Sequence, residues 1–513
     1  MVKSINRIRS LTQTRIAECY RRFFNPSKYK SLKFLLDYLG GDIKINDEAK
    51  SVLNTTISHI CTLDSWYFPR NCACLVYRNP VYNDNDYHAD YADKAISRGA
   101  TIILTNKSID GIPCVISENP VAVYAKLCRY YRDLSSGLSV IAISGSIGKT
   151  TTKNMIAEVL KMKYKTSYTS SNLNARGPVG FAAQHIPKGT DYLIQEIHEG
   201  EPGETQYLSE IIHPNLFVIT SIDLSHLAMF ESVEDIKEEI CSISKNMAED
   251  GSVIVNVDEF DRFDLLNGRR IITVSAHDMN ADFYADSPIV DQYGISFNII
   301  RKSNGQKSNV RLNNIFAFHN VVSALYAYAI GALANVPSDD MVLGLSHFQS
   351  HDFRQNVIRI NGIVIYADCY NAVDKSMRSA IETVDTFSTG GKRIAVLGDV
   401  EEAGQMTEST HINIVNYVNS SRFDILFVIG EKIKAGLSSV KLRDSLIVQS
   451  FDTIESLTSA IKRVILPGDV ILFKASHASH LEKCIIKIWP SLKNELSYST
   501  KMAERWKQKS LFY

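Results

Sequence analysis

Seven consecutive residues, Gly145-Ser146-Ile147-Gly148-Lys149-Thr150-Thr151, have the make-up of a phosphate-binding turn. Glycines let backbone N–H groups approach an anion that side chains would obstruct, and the positive end of a following helix adds to their pull. Lys149 would carry its charge to the β- and γ-phosphates of ATP, and the Thr150 hydroxyl would reach Mg²⁺. The general pattern asks for a further glycine five residues before Gly148, where this chain has Ile143. The loop is therefore a shorter G-x-x-G-K-T-T variant. Gly145, Ser146, Gly148, Lys149, Thr150 and Thr151 are the nucleotide-binding candidates it supplies.

Such a turn works only between a buried strand and a helix. Residues 138–143 are apolar and β-branched, and residues 149–163 form a helix-favouring stretch, so the flanks fit. Further apolar strands are expected at 192–196, 216–220 and 253–256 with helical stretches between the first three, which predicts a doubly wound, mostly parallel α/β sheet. Residues 268–312 alternate in strand fashion and predict an antiparallel appendage, followed by a helix over 318–334. A small α/β unit precedes the loop, with strands over 72–77 and 101–105. A Rossmann-like α/β unit follows it, with strands over 363–367, 394–397, 425–429 and 470–473. The expected division is a basic segment 1–45, a small substrate-binding unit 46–135, a central ATP-binding unit 136–345 and a C-terminal unit 346–513.

A chain of 513 residues exceeds what one core organises. Lys+Arg and Asp+Glu are both 56, which gives no net charge and argues against nucleic acid as a partner. Cys72 and Cys74 lack the second pair that a zinc site needs. With no secretory leader and no apolar run near the ~20 residues that span a bilayer, the nine scattered cysteines read as reduced thiols in a cytoplasmic protein. From Met1 to Lys33 basic residues face a single acid, Glu18, and alternate with Ile5, Ile8, Leu11, Ile16, Tyr20, Phe23 and Phe24. That segment suits either a helix packed on the first unit with a solvated basic face or peripheral contact with an anionic membrane.

Segments beyond the loop resemble motifs of the Mur ligases and stand in that family's order: Asn172-Leu173-Asn174, Glu196-Ile197-His198, Pro202-Gly203-Glu204, Thr220-Ser221-Ile222 with His226, Asn256-Val257-Asp258, His319-Asn320, Arg354, Asp368-Cys369-Tyr370-Asn371, Gly398-Asp399, His411 and Lys474-Ala475-Ser476. The similarity is greatest to members that join D-alanyl-D-alanine to a UDP-muramoyl tripeptide. The resemblance implies an amide-forming ligase. A carboxylate acceptor, small molecule or peptide, attacks the γ-phosphate of ATP, and an amine donor then displaces phosphate from the acyl phosphate. It also implies roles: Lys149, Glu196, His226 and Arg354 in catalysis, Thr150, Glu196 and His226 as Mg²⁺ ligands, His319 and Asn320 at adenine, Asp368 and Tyr370 near ribose or phosphate. Read from the residues alone, Glu196 could instead be satisfied by a helix N-terminus, and Asp368 could cap the helix after it.

Several positions depart from the family. Ile240 stands where it carries a carbamylated lysine, with Lys237 one turn earlier as a substitute. Ala175 and Ser221 replace asparagines, and His477 replaces an arginine whose planar fork suits a carboxylate. Pro69 and Tyr77-Arg78-Asn79-Pro80 stand in for the segments that hold the uridine nucleotide. The departures predict either a non-standard acceptor or a degenerate homologue that binds nucleotide as a scaffold or regulator.

Overall fold

The computed structural model describes residues 29–493, except 42, 64–67, 69, 77–87, 170–173, 223–229, 292, 351–352 and 402, with backbone alone at 88–90 and 405. Most of the basic segment, the Tyr77–Pro80 stretch and His226 therefore lie outside the described residues. No helix among the described residues is long and apolar enough to cross a membrane.

Three large sheets order the chain. The first has five strands, from Lys44–Ile45 through Cys114–Ile116, Ala100–Thr105 and Cys72–Leu75 to His59–Thr62, parallel except at the Lys44–Ile45 edge. It is fixed to the central unit by Gln184, whose amide accepts from Ile60 N and donates to Ile60 O, both at 2.8 Å. Gln184 thus pairs with a strand backbone as another strand would.

The central sheet has nine strands in the order Gln306–Asn313, Gly294–Arg301, Phe283–Asp291, Arg270–Ser275, Ser252–Asn256, Leu216–Ile219, Ser139–Ser144, Tyr192–Glu196, Thr166–Tyr168. The last six and Phe283–Asp291 run parallel, and only the first three form the antiparallel extension. Arg270–Ser275, expected within the appendage, is instead a parallel strand of the main sheet. Strands buried on both faces read as continuous apolar runs because helices cover both sides, and Leu216–Ile219 and Ser252–Asn256 show this pattern.

The helix after the loop, Lys149–Lys161, begins with three β-branched threonines that each disfavour helix by up to ~0.7 kcal/mol. It forms because Met155, Ile156, Val159 and Leu160 are fully buried against Ile141, Ile143 and the helix His319–Leu333, at roughly 1.5–3 kcal/mol per side chain. Packing outweighs propensity there.

The C-terminal sheet has six strands, Asn356–Ile360, Ile363–Asp368, Val470–Lys474, Arg393–Gly398, Ile425–Ile429 and Ile447–Phe451, antiparallel only at the first pair. It meets the central unit through Lys375 Nζ, 2.6 Å from Glu259 Oε1, and through the rings of Phe316 and Phe387 at 4.8 Å.

Candidate nucleotide site

Strand order reverses around Ser139–Ser144, since the chain first crosses to one side of it and then to the other. Ligands of open parallel sheets bind in the crevice beyond the strand C-termini at such a point. Three adjacent strands end there, Ser144 before Gly145, Glu196 in register with Ile143, and Ile219 in register with Ser144.

Gly145 lies at φ +133°, and a Cβ there would stand 2.4 Å from Thr220 Oγ1 and 2.7 Å from Ser221 O. Ser146 N donates to Ser221 O at 2.7 Å, which ties the loop to the neighbouring strand end. Gly148, at φ +89°, stands at the helix N-cap with no side chain to cap the first-turn N–H groups. Those groups therefore remain directed at the crevice, where a phosphate can satisfy them. Gly145→Ala should displace the loop, because the collision is with backbone as well as side chain. We expect loss of nucleotide affinity and a stability cost of order 1–3 kcal/mol from the conformation alone, to be read by isothermal titration with ATP and by urea unfolding.

Two acidic residues organise the lysines of the loop helix. Lys149 Nζ donates to Gly145 O and to Glu199 Oε1, the latter at 2.6 Å, and Glu199 is fully buried. One turn on, Lys153 Nζ stands 2.9 Å from Glu196 Oε1, with both side chains excluded from solvent. Glu196 is thus paired with a lysine of the loop helix and not with a helix N-terminus. The contact is an ion pair without hydrogen-bond alignment, and neither carboxylate oxygen of Glu196 has a hydrogen-bond partner. Glu199 and Lys153 were not among the residues expected from the sequence. Asn174 O accepts from His198 N at 3.1 Å, which draws the end of the Asn172–Asn174 segment to the same edge.

A second cluster forms where the C-terminal unit meets the helix starting at His319. Gln355 Nε2 donates to His319 Nε2 at 2.7 Å, its Oε1 accepts from Asn320 Nδ2 at 2.8 Å, and its backbone N donates to Asp368 Oδ1 at 3.1 Å. Burial pushes the His319 imidazole down to about 4. A neutral ring with Nε2 accepting leaves Nδ1–H to face Ser379 Oγ, 3.3 Å away. Asp368 does not cap the next helix. Its Oδ2 pairs with buried Lys474 at 3.0 Å, and helix Asp374–Asp385 is closed at its start by Ser376 and Val373. The Arg354 guanidinium lies 3.8 Å above the Tyr370 ring, and its Nε is shielded from solvent without a hydrogen-bond partner.

Ile240 is fully buried in an apolar cluster with Ile236 and Phe230. Lys237 is engaged with Asp261 at 3.3 Å and Glu234 at 3.6 Å. Its amine is thus turned toward these two carboxylates.

Nearby, burial raises the Glu204 carboxyl to about 7 from 4.5, against the opposing pull of Arg176. The unfolded chain ionises first as pH rises, so this group's contribution to stability is fully present below pH 4.5 and is lost by about pH 7. At 1.36 kcal/mol per pKa unit the loss is at most about 3 kcal/mol. Glu204→Gln should therefore flatten the pH dependence of thermal unfolding between pH 4 and 8, and an unchanged profile would count against the burial account.

A strand-end glycine turn, an uncapped helix and a lysine at its first position define a phosphate-loop nucleotide-binding protein. Residues 143–331 match the Mur ligase middle domain, and residues 353–477 match the Mur ligase, glutamate ligase domain. The UDP-N-acetylmuramoyl-tripeptide–D-alanyl-D-alanine ligase of Buchnera aphidicola subsp. Baizongia pistaciae is 30% identical over 442 residues, 84% of this chain and 92% of that protein. The enzyme of the same name from Bacillus subtilis is 28% identical over 404 residues, 77% of this chain and 86% of its own. The crystal structure of MurF from Acinetobacter baumannii superposes with a TM-score of 0.75 at 23% identity, over 90% of this chain and 98% of that one, and so shares its fold. The chain belongs to the Mur ligase family. It is an ATP-dependent ligase that joins an acid to an amine.

Proposed function

We propose that the chain forms an amide bond between a peptide or small-molecule carboxylate and an amine through an acyl phosphate, on an acceptor other than the usual UDP-muramoyl peptide. The observation that carries the chemistry is Lys149, held at the mouth of the Gly145–Thr151 turn by Glu199. With ATP bound, Lys149 would exchange Glu199 for the γ-phosphate and neutralise charge as the acceptor carboxylate attacks phosphorus. ADP leaves, the amine displaces phosphate from the acyl carbon, and one proton is released. His319 and Asn320, fixed by Gln355, would hold adenine, while Asp368 and Tyr370 approach ribose or phosphate. Arg354, with an unpartnered Nε beside Tyr370, would add a planar donor to the γ-phosphate.

Mg²⁺ fits this set. It takes hard oxygen ligands, and Thr150 with the Glu196 carboxylate, whose Oε1 faces Lys153 and whose Oε2 has no hydrogen-bond partner, supplies them. Bound there it would neutralise phosphate charge. His226 remains a third proposed ligand, and Ile240 removes the carbamate that would accompany it. The proposed units are residues 46–135 for acceptor, 136–345 for ATP and 346–513 to close over the nucleotide, with water excluded from the acyl phosphate by closure. An acceptor outside the usual class is supported by His477, a single-point donor where a fork would grip a carboxylate.

The deciding experiment measures ADP release with ATP, a panel of carboxylates and a panel of amines, the usual UDP-muramoyl tripeptide and D-alanyl-D-alanine among them. Turnover that requires both an acid and an amine supports the proposal. Efficient turnover of the usual pair overturns the acceptor assignment. Nucleotide binding without turnover on any pair favours the scaffold reading.

A further inference from the structure

The chain from His477 to Glu482 reads His-Ala-Ser-His-Leu-Glu and follows the strand Val470–Lys474. A single tight turn, His477–Ser479, and a left-handed His480 at φ +52° bring the ends of this segment together before helix Leu481–Ile488. One ring nitrogen from each histidine and a carboxylate oxygen of Glu482 all lie within 4.8 Å of one another. His480 Nδ1 is 3.2 Å from Glu482 Oε1, and the two imidazoles stand edge to face at 5.7 Å.

A carboxylate in the first turn of a helix ordinarily answers the helix dipole. That accounts for the placement of Glu482 but not for two imidazoles converging on it. It also leaves Glu482 Oε2 unexplained, since this atom is shielded from solvent and has no hydrogen-bond partner. We infer that His477, His480 and Glu482 form a binding site for a divalent transition metal of the Zn²⁺ class. Two imidazoles and a carboxylate are donors of borderline hardness, which suits Zn²⁺ and its neighbours better than Mg²⁺ or Ca²⁺. Tetrahedral zinc with bonds near ~2.1 Å sets donor atoms roughly 3.4 Å apart. The His480–Glu482 pair already meets that spacing, and an exposed His477 has the freedom to close the remainder.

Three protein donors leave a fourth position open to water or to a ligand carboxylate. The position of the cluster gives that vacancy a use. The His477 ring is 5.7 Å from that of Tyr370, which carries Arg354 on its face, and His480 lines a cavity of about 550 Å³ whose wall carries both lysines, such as Lys434 and Lys483, and carboxylates, such as Asp399 and Glu431. A metal held here would place a second cationic centre beside Arg354, at the residue where the fork-bearing arginine is absent. The site itself does not depend on the ligase reading.

The test uses the full chain, stripped with a chelator, titrated with Co²⁺ for its visible spectrum and then with Zn²⁺ against a chromogenic competitor. One equivalent of four-coordinate Co²⁺ is expected, displaced by Zn²⁺. Loss of an outer partner typically costs 10–100-fold in metal affinity, so removing a ligand through His480→Ala, or through Glu482→Gln, should each cost at least ~100-fold. His480 is exposed and Glu482 partly buried, and circular dichroism of each variant checks that the fold is kept. Absence of stoichiometric binding, or an affinity in both variants equal to that of the unaltered chain, would overturn the site. So would a sulfur-to-cobalt charge-transfer band, which would put the ion on a cysteine. Loss in the His480 variant alone would reduce the cluster to a histidine pair and overturn the three-donor assignment.

Discussion

Lys149→Ala is expected to lower kcat/KM for ATP-dependent turnover by about 10²–10³-fold, the range seen when one preorganised donor to developing charge is removed. The upper end is about 4 kcal/mol of transition-state stabilisation at 1.36 kcal/mol per decade. The same change also strips buried Glu199 of its 2.6 Å partner. An uncompensated buried charge destabilises by itself, so activity loss alone would not separate the two effects. The double variant Lys149→Ala with Glu199→Gln makes the separation. Neutralising the acid should recover most of the stability in urea while turnover stays low. If turnover returns with stability, Lys149 serves the fold and not the phosphate.

The second large effect lies one turn along the same helix. Lys153→Met should destabilise the protein by about 3–5 kcal/mol, the cost of breaking a buried pair from one side. Lys153 and Glu196 are both closed to solvent, so neither water nor a rotamer change can relieve the remaining carboxylate. For a unit of 150–250 residues that is a fall in Tm of about 10 °C. Adding Glu196→Gln should return most of it, because a neutral pair in place of a buried ionic one is often close to neutral in stability. Added Mg²⁺ and ATP should then fail to raise Tm in the double variant, if Glu196 is a ligand. A Tm for Lys153→Met within a degree of wild type would show that the pair is not ionised in the folded protein.

These two lysines show where sequence reading ends. Lys149 was legible because a glycine turn between an apolar strand and a helix leaves its first lysine few other uses. Lys153 shares the same helix and the same residue type, yet nothing local marks it. Its burial depends on Glu196 arriving from a strand more than forty residues away. Glu199 and Gln355 were missed for the same reason, one in a strand-end loop and the other in a left-handed turn at φ +57°. The parallel core was readable from residues such as Val140 and Val253, whose runs are apolar throughout. The edge strands Thr166–Tyr168, Asn356–Ile360 and Ile447–Phe451 were not, because they are short and polar residues such as Ser167, Arg359 and Gln449 interrupt their apolar runs. Ile240 was read as a departure and lies in the core as an aliphatic residue should.

Gln355 has a thermodynamic consequence of its own. Its side-chain amide makes two hydrogen bonds, to His319 and to Asn320, and so connects the central and C-terminal units. At about 0.5–1.5 kcal/mol net for each bond, the clasp favours the joined arrangement by roughly 1–3 kcal/mol. An equilibrium of that size leaves an unclasped minority of roughly 1–15%. A nucleotide that bound both arrangements equally would leave this balance untouched, whereas one whose base displaced the amide from His319 would loosen the joint on arrival. The two units would then behave as a jaw whose resting tension is set by one side chain.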